Sequence, residues 1–414
     1  MRVLMISWEY PPVIQGGLGR HVRRLSEQLA AGGVDVHVLT RGGAEHPARE
    51  ILHGVTVHRV QEPSFPLDLD RFLHWVQEMN NHMVALGLEL TAGATPQLRA
   101  TSELEVTLED GFDLVHSHDW LVADAGRRIS RERGLPWLVT IHATEHGRHQ
   151  GWVGKPPQSD IHELEAGMAQ EADHLITCSQ YMRGHVARVF GVNAPKITVV
   201  PNGVDARELE PTDRRELRAR FAAPDELLVL LVGRLVHEKG FHLALEALAP
   251  IVHRRGKVRF VVAGTGSAEG ELKRQAKQLR LGRAGTFLGW VGDDTLHALY
   301  RAADLCIVPS IYEPFGIVAL EAMASGCVCI VADTGGLREV VPGDGTVGLR
   351  FPAGDAGALR VLLGRVLEDE SERSRLVAGA LEHVLSFSWE QASQTLRLVY
   401  DRLTTGIDPR GRRA

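Results

Sequence analysis

The chain has 414 residues, more than one hydrophobic core usually serves, so two domains are expected. Hydrophobic content of 44% and charged content of 24% exclude a disordered or fibrous chain. A net charge of −6 excludes the electrostatic footprint of a nucleic-acid wrapper or an anionic-membrane binder.

The opening MRVLMISWEYPP loses its apolar run at Glu9, short of the apolar core of a secretory leader, and reads as a first strand. No window holds the ~18 uninterrupted apolar residues of a membrane span. Four cysteines, Cys178, Cys306, Cys327 and Cys329, stand in apolar contexts without CxxC spacing, so buried reduced thiols and a cytoplasmic location are expected.

Short β-branched runs then alternate with helical patterns, the sequence form of parallel βαβ units. VLMIS, VDVHVLT, DLVHSH, WLVTIH and HLITCS are the strands expected of a first domain. Between the first two, HVRRLSEQLAAGG carries Val22, Leu25 and Leu29 at helical spacing and ends in capping glycines. From Phe72 to Leu86 apolar residues recur every three or four positions, an inserted amphipathic helix with three readings: core packing, a lid, or the face of a homo-oligomer.

After KITVVPNGVD the texture turns polar, and a fresh series of strands follows: LLVLLVGRL, VRFVVAGTG, GTFLGWV, LCIVPS and VCIVAD. The last helical pattern, SWEQASQTLRLVYDRL, is compatible with either domain, including a return onto the first. Ligands of doubly wound α/β folds bind outside the carboxyl ends of the strands, so the loops there are where chemistry is expected.

In EYPPVIQGGLGRHV, Gly16, Gly17 and Gly19 let the backbone approach a ligand before the helix begins; a tight turn is the alternative, and no Walker Gly-Lys-Ser/Thr follows. In HSHDW a dinuclear hydrolase would want a second histidine where Trp120 stands. One of His116 and His118 is expected only to pack, on the ground that alternate strand residues point to opposite faces, which leaves Asp119 as the functional candidate. His142 ends the strand in TIHATEHGRHQGW, where a structural role and a functional one are evenly matched.

Arg234 and Lys239 leave the second domain's first strand beside Gly233 and Gly240, an arrangement suited to clamping a diphosphate; a solvated charge pair is the alternative. AGTGSAEGEL is a second glycine loop, but its spacing is not the dinucleotide fingerprint, so no nicotinamide cofactor is expected. In LCIVPSIYEPFGIVALEAMASG, Pro314 favours a turn into a helix whose first N–H groups, near Phe315, Gly316 and Ile317, form an anion site. Glu313 and Glu321 flank it. An anion between two carboxylates points to a phosphorylated polyol, and a nucleotide sugar fits, with the diphosphate at the helix, the ribose at Glu321 and the sugar at Glu313. The bland alternative makes Glu313 a helix cap and Glu321 half of a salt bridge.

Taken together, EYPPVIQGGLGRHV, HSHDW, GRLVHEKG and EPFGIVALEAMASGCVCIVADTGGLREVV resemble the retaining GT-B glycosyltransferases, specifically glycosyltransferase family 4 and the neighbouring bacterial glycogen and starch synthases. The resemblance implies an α/β fold of two Rossmann-like doubly wound parallel-sheet domains facing across a cleft. Residues 1–205 would form the acceptor side, with helix 388–404 returning to it, and 206–387 the donor side. It also implies that Gly16 and Gly17 approach the donor phosphate and the acceptor, and that His142 hydrogen-bonds near the donor sugar. Arg234 and Lys239 would hold the diphosphate, Glu313 the sugar ring and Glu321 the ribose. Asp119, Asn202 of VVPNGVD, Phe315, Gly316 and Ile317 complete the implied binding set.

By the same resemblance there is no catalytic metal and no cofactor, the nucleotide sugar being a substrate. The implied partners are an ADP- or UDP-sugar donor and an α-glucan or glucose-phosphate acceptor, the latter giving a product such as maltose 1-phosphate. Ile14 stands where classical bacterial glycogen synthases carry a lysine two positions before the glycine pair, which leans toward family 4 and away from an inherited ADP-glucose preference. Other family 4 acceptors, lipid-linked or small glycosides, and a sugar-nucleotide epimerase on the same fold are the alternatives.

Overall fold

The structure is a computed structural model, and it describes residues 1–14, 16–63, 71–92, 111–205 and 214–405. Fourteen strands are described: β1 (Arg2–Ile6), β2 (Asp35–Gly42), β3 (Arg49–Leu52), β4 (Val55–Gln61), β5 (Leu114–His118), β6 (Trp137–Ile141), β7 (His174–Thr177) and β8 (Ile197–Val199) in a first sheet. β9 (Leu227–Val232), β10 (Val258–Ala263), β11 (Gly285–Gly289), β12 (Leu305–Val308), β13 (Val328–Asp333) and β14 (Leu349–Pro352) form a second.

The first sheet runs in the order β3-β4-β2-β1-β5-β6-β7-β8, parallel throughout except for β3, which pairs antiparallel with β4. The second runs β11-β10-β9-β12-β13-β14 and is wholly parallel. Strands such as LVHSH and WLVTI are buried along their whole length, as expected where helices cover both faces of a parallel sheet. In each sheet the strand order reverses beside the first strand, between β1 and β5 and between β9 and β12, so each unit has one topological switch point.

The first compact unit comprises the described residues up to Cys178, Arg183–Val200 and the helix Trp389–Thr405; the second comprises Ser179–Met182 and the described residues from Pro201 to Ser388. Residues 201–205, expected in the first domain, thus lie in the second. Val22, Leu25 and Leu29 of helix Gly17–Ala31 pack with Leu396, Val399 and Tyr400 of helix Trp389–Thr405 in one cluster. Burying those last three side chains stabilises the return on the order of 5 kcal/mol. Arg397 ties it by donating to the Gly32 carbonyl at 2.6 Å.

The inserted helix runs Phe72–Thr91 and is a core element. Trp75, Met79 and Met83 are buried, and Asn80 donates to the Leu121 carbonyl at 2.8 Å while accepting from the Ala125 N–H at 2.8 Å. All four cysteines are buried and none forms a disulfide, as expected. Among the described residues no helix is long and apolar enough to cross a membrane.

Candidate active site

At the switch point of the first sheet, the loops after β1, β5 and β6 converge because the three strands are neighbours. The helix after β1 starts at Gly17, so Gly17 and Gly19 are helical and only Gly16 precedes it, as its N-cap. This corrects the expectation that all three glycines lie in a loop. A Cβ on Gly19 would come within 3.1 Å of Glu9 Cβ, so this glycine admits the buried Glu9 side chain. Glu9 in turn accepts from the Gly16 N–H at 3.0 Å.

His116 and His118 are two positions apart on β5 and share a face, their rings 4.4 Å apart; the opposite-face expectation fails because a period of two returns a side chain to the same side. Their roles still separate. His116 is locked on both ring nitrogens, 2.7 Å from Tyr400 Oη and 2.7 Å from Thr140 Oγ1. His118 Nδ1 lies 3.2 Å from His142 Nε2, while its buried Nε2 has no hydrogen-bond partner. His21, from the first turns of helix Gly17–Ala31, closes the group with its ring 4.6 Å from that of His142 and 5.7 Å from that of His118.

Asp119 accepts the His142 backbone N–H on its carboxylate at 2.7 Å and fixes the turn that presents His142. It holds a left-handed backbone (φ 63°) to do so, a conformation that aspartate tolerates better than most residues. Burial pushes its carboxyl up to about 6. Burial also lowers His142 to about 4 and His116 and His118 well below the usual histidine range, so the imidazoles are neutral near pH 7.

At the second switch point, the loops after β9, β10, β12 and β13 meet backbone to backbone. Gly240 (φ 67°) lies so close to the Pro309 carbonyl that a Cβ would stand 2.0 Å from its oxygen, and Gly264 (φ 140°) would place one 1.9 Å from the Gly233 oxygen. The Ile311 N–H donates to the Glu238 carbonyl at 2.8 Å, and the Gly336 N–H to that of Glu313 at 2.9 Å. These contacts bring Lys239 Nζ to 2.7 Å from the Glu313 carboxylate, to which Ser310 Oγ also donates at 3.0 Å. Arg234, half-exposed, stands 3.6 Å from Glu238.

Gly316 (φ 116°) is the N-cap of helix Ile317–Ala324, and a Cβ there would strike Leu337 at 2.6 Å, which explains glycine at this position. The first N–H groups of any helix lack intrahelical acceptors, so this N-terminus offers a positive end beside Glu313. Phe315 is buried with its ring edge-on to Phe387, and Ile317 is half-buried. Glu321, one turn on, accepts from Tyr300 Oη at 2.8 Å. Asn202 is buried in this unit with its side-chain oxygen lacking a hydrogen-bond partner. The second unit thus gathers Lys239, Glu313 and Gly316 at one edge, while the first gathers His142 and Asp119.

Residues 15–208 match the family model described as Glycosyltransferase Family 4, and 213–383 that described as Glycosyl transferases group 1. A glycogen synthase of Mycobacterium tuberculosis is 38% identical over 97% of this chain and 94% of its own length. The chain belongs to the GT-B glycosyltransferases. A D-inositol 3-phosphate glycosyltransferase of Acidothermus cellulolyticus is also similar to this glycosyltransferase, 33% identical over 93% of the chain and 85% of the relative. Among solved structures, a sucrose-phosphate synthase from Thermosynechococcus elongatus superposes with a TM-score of 0.80 at 25% identity, covering 98% of this chain and 99% of that one. The catalytic domain of starch synthase IV from Arabidopsis thaliana, bound to ADP and acarbose, gives 0.76 at 20% identity, covering 98% and 99%.

Sequence reading alone missed His21, Ser310 and Tyr300. His21 sits two positions after Gly19 in GLGRHV, and only the adjacency of β1, β5 and β6 makes it a neighbour of His142. Ser310 had a local signal, three residues before Glu313 at the end of a strand.

Proposed function

We propose that this glycosyltransferase moves glucose, with retention of configuration and without a catalytic metal or cofactor, from ADP- or UDP-glucose to an α-glucan or glucose-phosphate acceptor in the cytoplasm. The observation that carries the reading is the Lys239–Glu313 pair beside Gly316, at the switch point of the second sheet. A diphosphate with a sugar on one side needs positive donors fixed before reaction and a carboxylate acceptor for sugar hydroxyls. Lys239, Arg234 and the N-terminus of helix Ile317–Ala324 supply the donors, Glu313 the acceptor, and Glu321 the contact to the ribose. His142, held by Asp119, hydrogen-bonds to the donor sugar. Gly16 and Gly17 face the phosphate and the acceptor, and Asn202, Phe315 and Ile317 line the binding set.

A relative named as a glycogen synthase over nearly the whole chain supports the glucan acceptor, and the ADP-bound starch synthase domain supports a nucleotide donor. The similar D-inositol 3-phosphate glycosyltransferase favours a second reading, with a phosphorylated polyol as acceptor. Turnover of ADP-, UDP- and GDP-glucose with glycogen, glucose 1-phosphate, D-inositol 3-phosphate or no acceptor, followed by product analysis, tests both. Release of free nucleotide at equal rates with and without acceptor would overturn transfer to any of them.

A further inference from the structure

Three imidazoles from three separate elements meet in the first unit, on helix Gly17–Ala31, at the end of β5 and just after β6. One ring nitrogen from each of His21, His118 and His142 lies within 4.8 Å of the others. Three nitrogens bound to one zinc ion at about 2.1 Å stand about 3.4 Å apart in a tetrahedron. The His118 Nδ1–His142 Nε2 separation of 3.2 Å already matches, and the remaining gaps close by at most about 1.4 Å through side-chain rotation.

We propose that His21, His118 and His142 form a reversible binding site for a divalent transition metal of the zinc class. One further observation points the same way: the Asp119 carboxylate, which accepts the His142 backbone N–H at 2.7 Å, places negative charge beside His142.

Binding balances without loss of a proton. The hydrogen now shared between His118 Nδ1 and His142 Nε2 moves to the other nitrogen of the ring that donates it, and the metal takes the freed lone pairs. Three histidines leave a fourth position to water, so the ion exchanges with solvent and with chelators. Imidazole nitrogen selects zinc, cobalt, nickel and copper over magnesium and calcium. Resting on the transfer reading above, occupancy withdraws the His142 nitrogen from the donor sugar and inhibits turnover.

The probe is Co2+ titrated into the full-length, chelator-treated protein and followed by visible absorption. One Co2+ per chain with the intense bands of a tetrahedral site, displaced by Zn2+, is the expected result. His21→Gln and His118→Gln each weaken that uptake by about 10²-fold or more. Wild-type protein without stoichiometric tetrahedral Co2+, or the same bands in both variants, overturns the site. His21→Asn and His118→Asn replace any variant whose circular dichroism is not native. Zn2+ is expected to inhibit wild-type turnover and to spare His21→Gln at the same concentration. Metal uptake as expected without inhibition would leave the site standing and overturn the role of His142 in transfer.

Discussion

Lys239 donates to the Glu313 carboxylate at 2.7 Å across 74 positions of sequence, and the bond exists because Gly240 lets one strand-end loop lie against another. The cation proposed for the diphosphate and the carboxylate proposed for the sugar satisfy each other. Lys239→Ala is expected to lower kcat about 10²-fold or more at saturating nucleotide sugar, the scale of losing a preorganised charge-stabilising donor. Arg234→Ala should fall in the same range. Near-normal turnover in either variant would remove that residue from the diphosphate site.

Gly240→Ala tests how the site is assembled. At φ 67° with a backbone oxygen 2.0 Å from the added methyl, neither neighbour can give way, and a loss of roughly 2 kcal/mol or more is expected in chemical denaturation. Gly191→Ala is the control: it shares a φ of 65° but meets nothing within 4 Å, so only the conformational cost of about 1 kcal/mol applies. Equal losses in the two variants would mean that the Gly240–Pro309 approach relaxes without strain.

Tyr400→Phe removes the hydroxyl that lies 2.7 Å from His116 Nδ1 and leaves that nitrogen buried. Stability should fall by about 1–2 kcal/mol with kcat unchanged, because His116 belongs to the core and not to the donor set. A kcat loss without a stability loss would assign His116 to the chemistry.

Stability should pass through a maximum near neutral pH. Burial lowers His58, His142, His174 and His185 each to about 4, so from pH 6.5 down to 4 the unfolded chain binds protons that the native imidazoles refuse, and stability is lost. Glu165 has the opposite sign. Burial pushes it up to about 8, and the native carboxyl keeps a proton that the unfolded chain releases above pH 4.5, so stability declines as pH rises toward 8. Glu165→Gln should therefore stabilise the protein on the order of 3 kcal/mol at pH 8 and little at pH 4. Denaturation midpoints across that range would show the crossing; parallel curves for the two proteins would rule it out.

Much of this was legible in the sequence because the signals are local. β1, β2, β5, β6 and β7 follow from β-branched runs, as do β9 to β13 in the second unit. β3 and β4 escaped notice because REIL is four residues long and opens on the charges of Arg49 and Glu50, and VTVHRVQ breaks its β-branched run at His58 and Arg59. β14, LRFP, is four residues long and ends in proline, so pattern alone gives it little weight. The helix at Trp75 was ambiguous because an amphipathic stripe states that a face is buried and not against what; Asn80, bonded to both Leu121 and Ala125, supplies the answer.

The sequence by itself determined the two α/β units, the family, and the residue types at each strand end, since hydrophobic period, glycine placement and the Glu313–Glu321 spacing are written along the chain. Which residues meet was decided only by tertiary structure. Strand order is a long-range choice, and it alone sets β1 beside β5 and β9 beside β12, bringing His21 to His142 and Lys239 to Glu313. The return of helix Trp389–Thr405 to the first unit is of the same kind: its apolar stripe is visible in sequence, but the surface that covers it lies more than 350 residues away.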